Sequence, residues 1–78
     1  MMSEITWEPL LYGTLIQDAR RHGWLVGTVY PLVQANVWRA EVFHSVDGEL
    51  HALPGQFLTE DDAKAAVLAA VNHHTKTA

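Results

Sequence analysis

The strongest constraint on the fold is a helix near the end of the 78-residue chain. Thr59 is a good N-cap residue, and Glu60, Asp61 and Asp62 follow it in the first turn, where the helix dipole favours negative charge. The next residues place apolar side chains at helical spacing, in one stripe that consists of Ala63, Ala66, Val67, Ala70 and Val71. The sequence therefore predicts an amphipathic helix whose small side chains allow close packing against a sheet.

Three segments before this helix have the composition of β-strands. Residues 24–30 are rich in β-branched and aromatic side chains, and residues 37–45 and 49–53 lie on either side of a turn. Asp47-Gly48 in that turn is a strong signal for a two-residue hairpin. We therefore predict three antiparallel strands.

The predicted two-residue turn fixes which residues of the hairpin lie opposite each other. His44 would face His51, and Val42 would face Leu53. One face of the hairpin then carries mostly apolar side chains, namely Trp38, Ala40, Val42 and Leu53. That face is the predicted core face, and Trp24 of the first strand is expected to join it.

Residues 9–22 are predicted to form another helix at the start of the fold. Pro9 suits the first turn of a helix, apolar residues recur at helical spacing as far as Ala19, and Gly23 is a natural left-handed stop. An alternative prediction makes residues 10–17 a strand.

The order helix, three strands, helix predicts an α+β fold of two layers (αβββα). One three-stranded antiparallel sheet would carry both helices on one face. The length of 78 residues predicts a single domain that spans residues 1–78.

Composition narrows the partners that the chain can have. It has no cysteine, which excludes disulfides and thiolate metal sites, and its formal net charge is −4 with neutral histidines. The start of the sequence does not resemble a secretory signal, and no apolar run approaches the roughly 20 residues of a membrane span. We therefore expect a cytoplasmic protein with no membrane contact. Nucleic acid is disfavoured as a partner because the basic residues are few: Arg20, Arg21, Arg39, Lys64 and Lys76.

The strand–turn–strand and helix predicted for residues 38–71 resemble the double-stranded-RNA-binding domain. That likeness includes a helix pattern of the form Thr59-x-x-x-Ala63-Lys64-x-Ala66-x-x-x-Ala70. The resemblance implies the αβββα architecture. In size and acidity, the chain is also loosely similar to small inhibitor proteins of phages and mobile elements, such as anti-CRISPR proteins.

The residues through which that family contacts RNA are not matched here. Glu60 and Asp61 stand where the family has paired lysines, and only Lys64 remains. The Gly-Pro-x-His loop of the family has no counterpart near residues 32–36. The resemblance therefore implies the architecture without the RNA function.

Charge and exposed apolar side chains suggest where a partner protein would bind. Glu60, Asp61 and Asp62 either only stabilise the helix start or form a patch for a basic surface of a partner. Trp7 lies outside any predicted element and is the expected exposed anchor, because interface hot spots favour tryptophan.

Leu68 falls off the buried stripe of the final helix. Together with Phe43 and Leu50 on the second hairpin face, it marks either a binding surface or a face that residues 1–8 cover. Left uncovered, such an apolar face would also favour self-association.

His44 and His51 are weak candidates for a metal site or a pH-sensitive pair, because opposed cross-strand residues lie close together. Two solvated surface histidines are the ordinary alternative, and a metal site needs three or four ligands, so no metal or cofactor is predicted. The sequence contains no nucleophile elbow and no glycine-rich phosphate loop, so catalysis is not predicted either.

The sequence thus predicts a non-catalytic protein-binding module, a small acidic inhibitor or adaptor, with contact residues Trp7, Glu60, Asp61, Asp62 and Leu68. One alternative is a histidine-based metal or pH-responsive module. Another is a nucleic-acid-binding domain related to the double-stranded-RNA binders, which would use Arg20, Arg21, Arg39 and Lys64.

Overall fold

The computed structural model describes residues 5–10, 15–44 and 46–77. Within these residues, five antiparallel strands pair in chain order and one helix follows them. The elements are β1 (Thr6–Pro9), β2 (Gln17–Arg21), β3 (Trp24–Leu32), β4 (Val37–His44), β5 (Glu49–Ala52) and α1 (Glu60–Thr77).

The predicted αβββα fold is wrong, because the described chain is dominated by a five-stranded sheet and has one helix. The last three strands and the final helix form close to where they were predicted. The helix predicted over residues 9–22 does not form, since Pro9 ends β1 and residues 17–21 are β2. The alternative strand over residues 10–17 meets β2 only at Gln17, and residues 11–14 lie outside the described part of the chain.

β2 forms because both of its neighbours pair with it, although its sequence has low β propensity. Asp18 pairs with Glu8 in β1 and with Thr28 in β3, so it lies in the middle of a polar row. Ala19 lies on the other face, opposite Trp7 and Gly27. Partners far apart in sequence therefore override the local helical pattern of this segment.

α1 packs against one face of the sheet, over β3 and β4. This helix face of the sheet carries Trp7, Ala19, Gly27, Val29, Trp38, Ala40 and Val42. The predicted stripe of α1 is confirmed, because Ala63, Val67 and Val71 are buried against it. The opposite, open face carries Glu8, Asp18, Thr28, Tyr30, Arg39, Glu41, Phe43 and Leu50.

Two connections show how left-handed residues set the strand register. The two-residue turn between β2 and β3 has positive φ at both His22 (53°) and Gly23 (82°), which is the type I′ arrangement. The two-residue turn predicted at Asp47-Gly48 is wrong, because His44 pairs with Glu49 and Asp47 does not take the positive φ that a type I′ turn needs. Gly48, with a φ of 71°, instead ends a four-residue loop between His44 and Glu49.

The register predicted for the last hairpin is therefore wrong by two residues. His51 lies opposite Val42, and Leu50 lies opposite Phe43. A shift of two residues keeps every side chain on its face, because side chains alternate with a period of two. The predicted core face is confirmed accordingly, and Leu53 packs against the core.

Trp24 does not belong to the core as predicted, because 77% of its surface is exposed. It pairs with Arg21 beside the tight β2–β3 turn, at the end of the sheet where the chain reverses. Among the residues that the structure describes, no helical segment combines the length and the apolar character that crossing a lipid bilayer requires.

Candidate functional site

The start of α1 is capped as the sequence predicts. The Asp62 main-chain N–H donates to Oγ1 of Thr59 at 3.1 Å, and the Ala63 N–H donates to the Thr59 carbonyl at 3.2 Å. Thr59 is therefore the N-cap, and it satisfies donors that a helix start leaves without partners.

Glu60 is held by contacts inside the fold. Its Oε2 accepts a hydrogen bond from Nε2 of Gln17 at 2.6 Å and lies 2.9 Å from Nζ of Lys64. The same Lys64 ammonium lies 5.1 Å from the centroid of the Trp7 ring, within the range of a cation–π contact. These contacts join α1 to β1 and β2, so Glu60 and Trp7, both predicted to bind a partner, have structural contacts here.

Asp61 and Asp62 are the exposed part of the acidic helix start. Neither carboxylate has an ion-pair partner in the described part of the chain. Of the three predicted acids, these two are consequently the ones free to meet a basic group of another molecule.

Large apolar side chains lie in the connections at the end of the sheet near which α1 begins. In an antiparallel meander, the β1–β2, β3–β4 and β5–α1 connections all lie at this one end. Among the residues that the structure describes, these connections contribute four exposed large apolar side chains: Leu10 (50% exposed), Leu15 (62%), Val33 (82%) and Leu58 (78%). We call these four residues the loop-end surface.

A shallow depression lies beside this surface. Its volume is about 330 Å³, at the lower limit for small-molecule sites, and a single run of chain from Pro31 to Ala35 lines it. α1 begins two residues after Leu58, so Asp61 and Asp62 in its first turn lie at the same end of the sheet as the loop-end surface. The loop-end surface is thus apolar with an acidic border.

Leu68 and the pair Phe43 and Leu50 do not form one surface. Leu68 lies on α1, and about a third of its surface (36%) is exposed. Phe43 and Leu50 pair with each other on the open face of the sheet, on the other side from α1. The sheet itself separates the two groups.

His44 and His51 lie close together although they are not directly opposed as predicted. His44 pairs with Glu49, so His51 is its diagonal neighbour on the adjacent strand. Their ring centroids are 4.2 Å apart, and Nε2 of His51 lies 2.6 Å from Oδ2 of Asp47. The Glu49 N–H that donates to Asp47, together with His51, lowers the pKa of the Asp47 carboxyl. Within the described residues, no group of three or more His, Cys, Asp or Glu residues could hold a metal ion.

The charged residues of the open face largely pair with each other. Arg20 lies 3.6 Å from Asp18 and 3.9 Å from Glu8. The Tyr30 hydroxyl donates to Glu41 at 2.9 Å, and burial together with this hydrogen bond raises the tyrosine pKa. This face therefore carries both signs of charge, with Arg20 paired to Asp18 and Glu8.

The cations of the nucleic-acid alternative do not share one face. Arg20 and Arg39 lie on the open face, whereas Lys64 lies on α1 beside Glu60. Arg21 is the last residue of β2, next to the tight turn. A continuous basic track is not formed by these four residues.

Sequence reasoning did not single out the loop-end surface. Val33 precedes a predicted turn, and Leu58 immediately precedes the helix cap, so large apolar residues inside predicted connections were the available signal. Leu15 lies within residues 9–22, where the sequence predicted a helix that does not form.

Comparison with known protein families, with curated proteins and with solved structures gives no match to this chain.

Proposed function

We propose that the chain is a non-catalytic, adaptor-like module that binds a partner protein through the loop-end surface. The observation that carries the proposal is the placement of four exposed side chains in the connections at one end of the sheet: Leu10, Leu15, Val33 and Leu58, each at least half exposed. Apolar side chains grouped in this way are typical of interaction sites, whereas scattered ones are ordinary.

The loop-end surface can supply a useful binding energy. Covering each of its leucine or valine side chains would contribute roughly 1–2 kcal/mol, since each is only partly exposed and full burial contributes about 1.5–3. Association and side-chain ordering consume much of this sum. A partner of moderate affinity is therefore the expected kind, unless polar contacts add to the apolar ones.

The charge expected of the partner follows from Asp61 and Asp62. Both carboxylates are exposed beside the apolar surface, and the whole chain has a formal net charge of −4. Opposite charges at the border of an interface raise the association rate and fix the orientation. We therefore propose a cytoplasmic partner whose docking site is apolar with a basic border.

The test compares tagged proteins in pull-downs from cell lysate, each run with and without nuclease treatment. The loop-end variant carries Val33→Asp and Leu58→Asp, and the control carries Val46→Asp, which changes a 97% exposed residue at the opposite end of the sheet. We expect a stoichiometric protein to be retained by the unchanged chain and by the control, and to be lost with the loop-end variant.

Two results would overturn the proposal. Equal retention by all three proteins would place the contact elsewhere, and retention of nucleic acid would favour the nucleic-acid alternative. The substituted residues are exposed, so each variant should keep its unfolding free energy within about 0.5 kcal/mol of the unchanged chain. Urea unfolding checks this before the pull-down.

A further inference from the structure

The outer edge of the sheet at β5 has main-chain groups that face away from β4. All four residues of β5 are exposed. The Leu53 N–H donates to the Ala40 carbonyl at 2.9 Å, and antiparallel bonding alternates along a strand, so Leu53 and His51 bond inward to β4. The N–H and C=O groups of Leu50 and Ala52 consequently point outward.

The other edge of the sheet, at β1, is built differently. The Leu10 N–H donates to the Ile16 carbonyl at 2.9 Å, so by the same alternation Pro9 faces outward. Proline has no N–H, and an outward proline blocks strand addition at an edge. β5 carries no proline, no lysine and no bulge, so among the features that protect an edge strand it has only its short length and the Glu49 carboxylate.

The side chains of β5 suit an antiparallel pairing with a second copy of itself. A two-fold axis at Leu50 would place Glu49 opposite His51 of the second copy, and this complementary pair would occur twice. An axis at His51 would instead oppose two imidazoles, and an axis at Ala52 would bring Leu50 opposite Pro54, which has no N–H to donate.

The contacts that Glu49 and His51 make within one chain leave each of them able to pair with the second copy. Nε2 of His51 already lies 2.6 Å from the Asp47 carboxylate, so a second hydrogen bond, from Nδ1 to Glu49 of the second copy, forms when the imidazole carries a proton on both ring nitrogens. Nothing in the described chain forms an ion pair with the Glu49 carboxylate.

We propose that β5 is a self-association edge, which pairs antiparallel with β5 of a second copy across a two-fold axis at Leu50. The two Leu50 residues exchange both of their main-chain hydrogen bonds, and the two five-stranded sheets become one. On the open face, the Phe43–Leu50 pairs of the two copies form one apolar row. Because β5 has only four residues, the interface is small and the dimer is weak and concentration-dependent.

Sedimentation velocity from micromolar to millimolar concentration tests the dimer, and charge exchange tests its register. Glu49→Lys places Lys opposite His51, and His51→Glu places Glu opposite Glu49, so each variant alone should be monomeric where the unchanged chain is a dimer. Mixing the two variants restores both complementary pairs, so the mixture should form heterodimers.

A second variant tests the edge without changing charge. Ala52→Pro removes an N–H that faces away from β4, so the fold should be kept, as it is at Pro9, while self-association weakens by at least tenfold. Val33→Asp with Leu58→Asp should leave the dimer intact, because the loop-end surface is not part of the β5 edge.

The proposal is overturned if the unchanged chain stays monomeric at millimolar concentration. It is also overturned if folded Ala52→Pro dimerises like the unchanged chain, if mixing the two charge variants gives no heterodimer, or if the loop-end variant abolishes the dimer. Circular dichroism identifies any variant that fails to fold.

Discussion

Gly27 of β3 lies so close to Val67 of α1 that there is no room for a Cβ, which makes Gly27→Ala a sharp test of the packing. A Cβ at this position would lie 2.8 Å from the Val67 Cγ1 atom and 2.8 Å from the main-chain oxygen of Glu41. That is roughly 0.7 Å short of the distance of about 3.5 Å at which two carbon atoms make optimal contact. The residue has no positive φ, so the effect would come from packing and not from backbone strain.

The size of the effect follows from what must move. Val67 is fully buried, and the Glu41 carbonyl belongs to the strand that pairs with β3, so neither neighbour can retreat freely. Overpacking of this kind costs about 1–3 kcal/mol. The loss of chain entropy in the unfolded state returns about 0.4–1 kcal/mol, so we expect a net destabilisation of roughly 1–2 kcal/mol.

Urea unfolding of four proteins measures this prediction: the unchanged chain, Gly27→Ala, Val67→Ala and the double variant. Val67→Ala alone is destabilising because it opens a cavity, yet it removes one of the two atoms that the new Cβ would meet. The double variant should therefore be more stable than the sum of the single effects predicts, by about 0.5–2 kcal/mol. A Gly27→Ala variant as stable as the unchanged chain, or strictly additive effects, would refute the packing of α1 on β3.

Three further substitutions have expected outcomes. Thr59→Ala removes the N-cap of α1 and should lower the unfolding free energy by about 1 kcal/mol in urea titrations. The pKa of the Asp47 carboxyl is lowered in the fold, so the stability that this group contributes above pH 3.8, its ordinary pKa, is lost as the pH falls below that value. Asp47→Asn should therefore lose less stability than the unchanged chain between pH 6 and pH 3. The pKa of Tyr30 is raised, so stability falls as the pH rises above the ordinary value of 10.0, and Tyr30→Phe should show a smaller fall in alkaline unfolding titrations.

The sequence predicted the final helix well because several local signals agree there. Thr59 caps it, the acids fill its first turn, and the apolar stripe has one period throughout. The core face of the β4–β5 hairpin was also predictable, since it depends only on the alternation of side chains.

The first part of the sheet was not predictable from local pattern. The apolar residues between Leu11 and Ala19 fit a helical period, whereas β2 is a strand because Asp18 and Ala19 meet partners on both sides. These partners lie on β1 and β3, and a single-sequence pattern does not show which strands will be neighbours.

Turn chemistry explains the error in the last hairpin. Asp47-Gly48 matches the composition of a type I′ turn, but the left-handed pair is formed by His22 and Gly23 instead. Histidine tolerates a positive φ better than most residues, so His-Gly was a signal of the same kind, though a weaker one. Exposure of Trp24 follows from its position directly after this turn.

The candidate site was predictable only in part. Asp61 and Asp62 are exposed as an acidic docking patch requires, while Glu60 and Trp7 are held by contacts with Gln17 and Lys64. The Gln17–Glu60 and Trp7–Lys64 contacts join residues more than forty positions apart, so no local pattern indicates them. The Glu60–Lys64 ion pair, with partners four residues apart on α1, is the one contact that local spacing does indicate.

Site-specific photo-crosslinking in living cells that produce the protein tests the proposed docking surface most directly. A photoreactive benzophenone side chain would replace either Val33 on the loop-end surface or Val46 at the opposite end, both of which are highly exposed. We predict a discrete adduct with a partner protein from position 33 and none from position 46. An adduct from position 46 alone, or none from either position, would contradict the account.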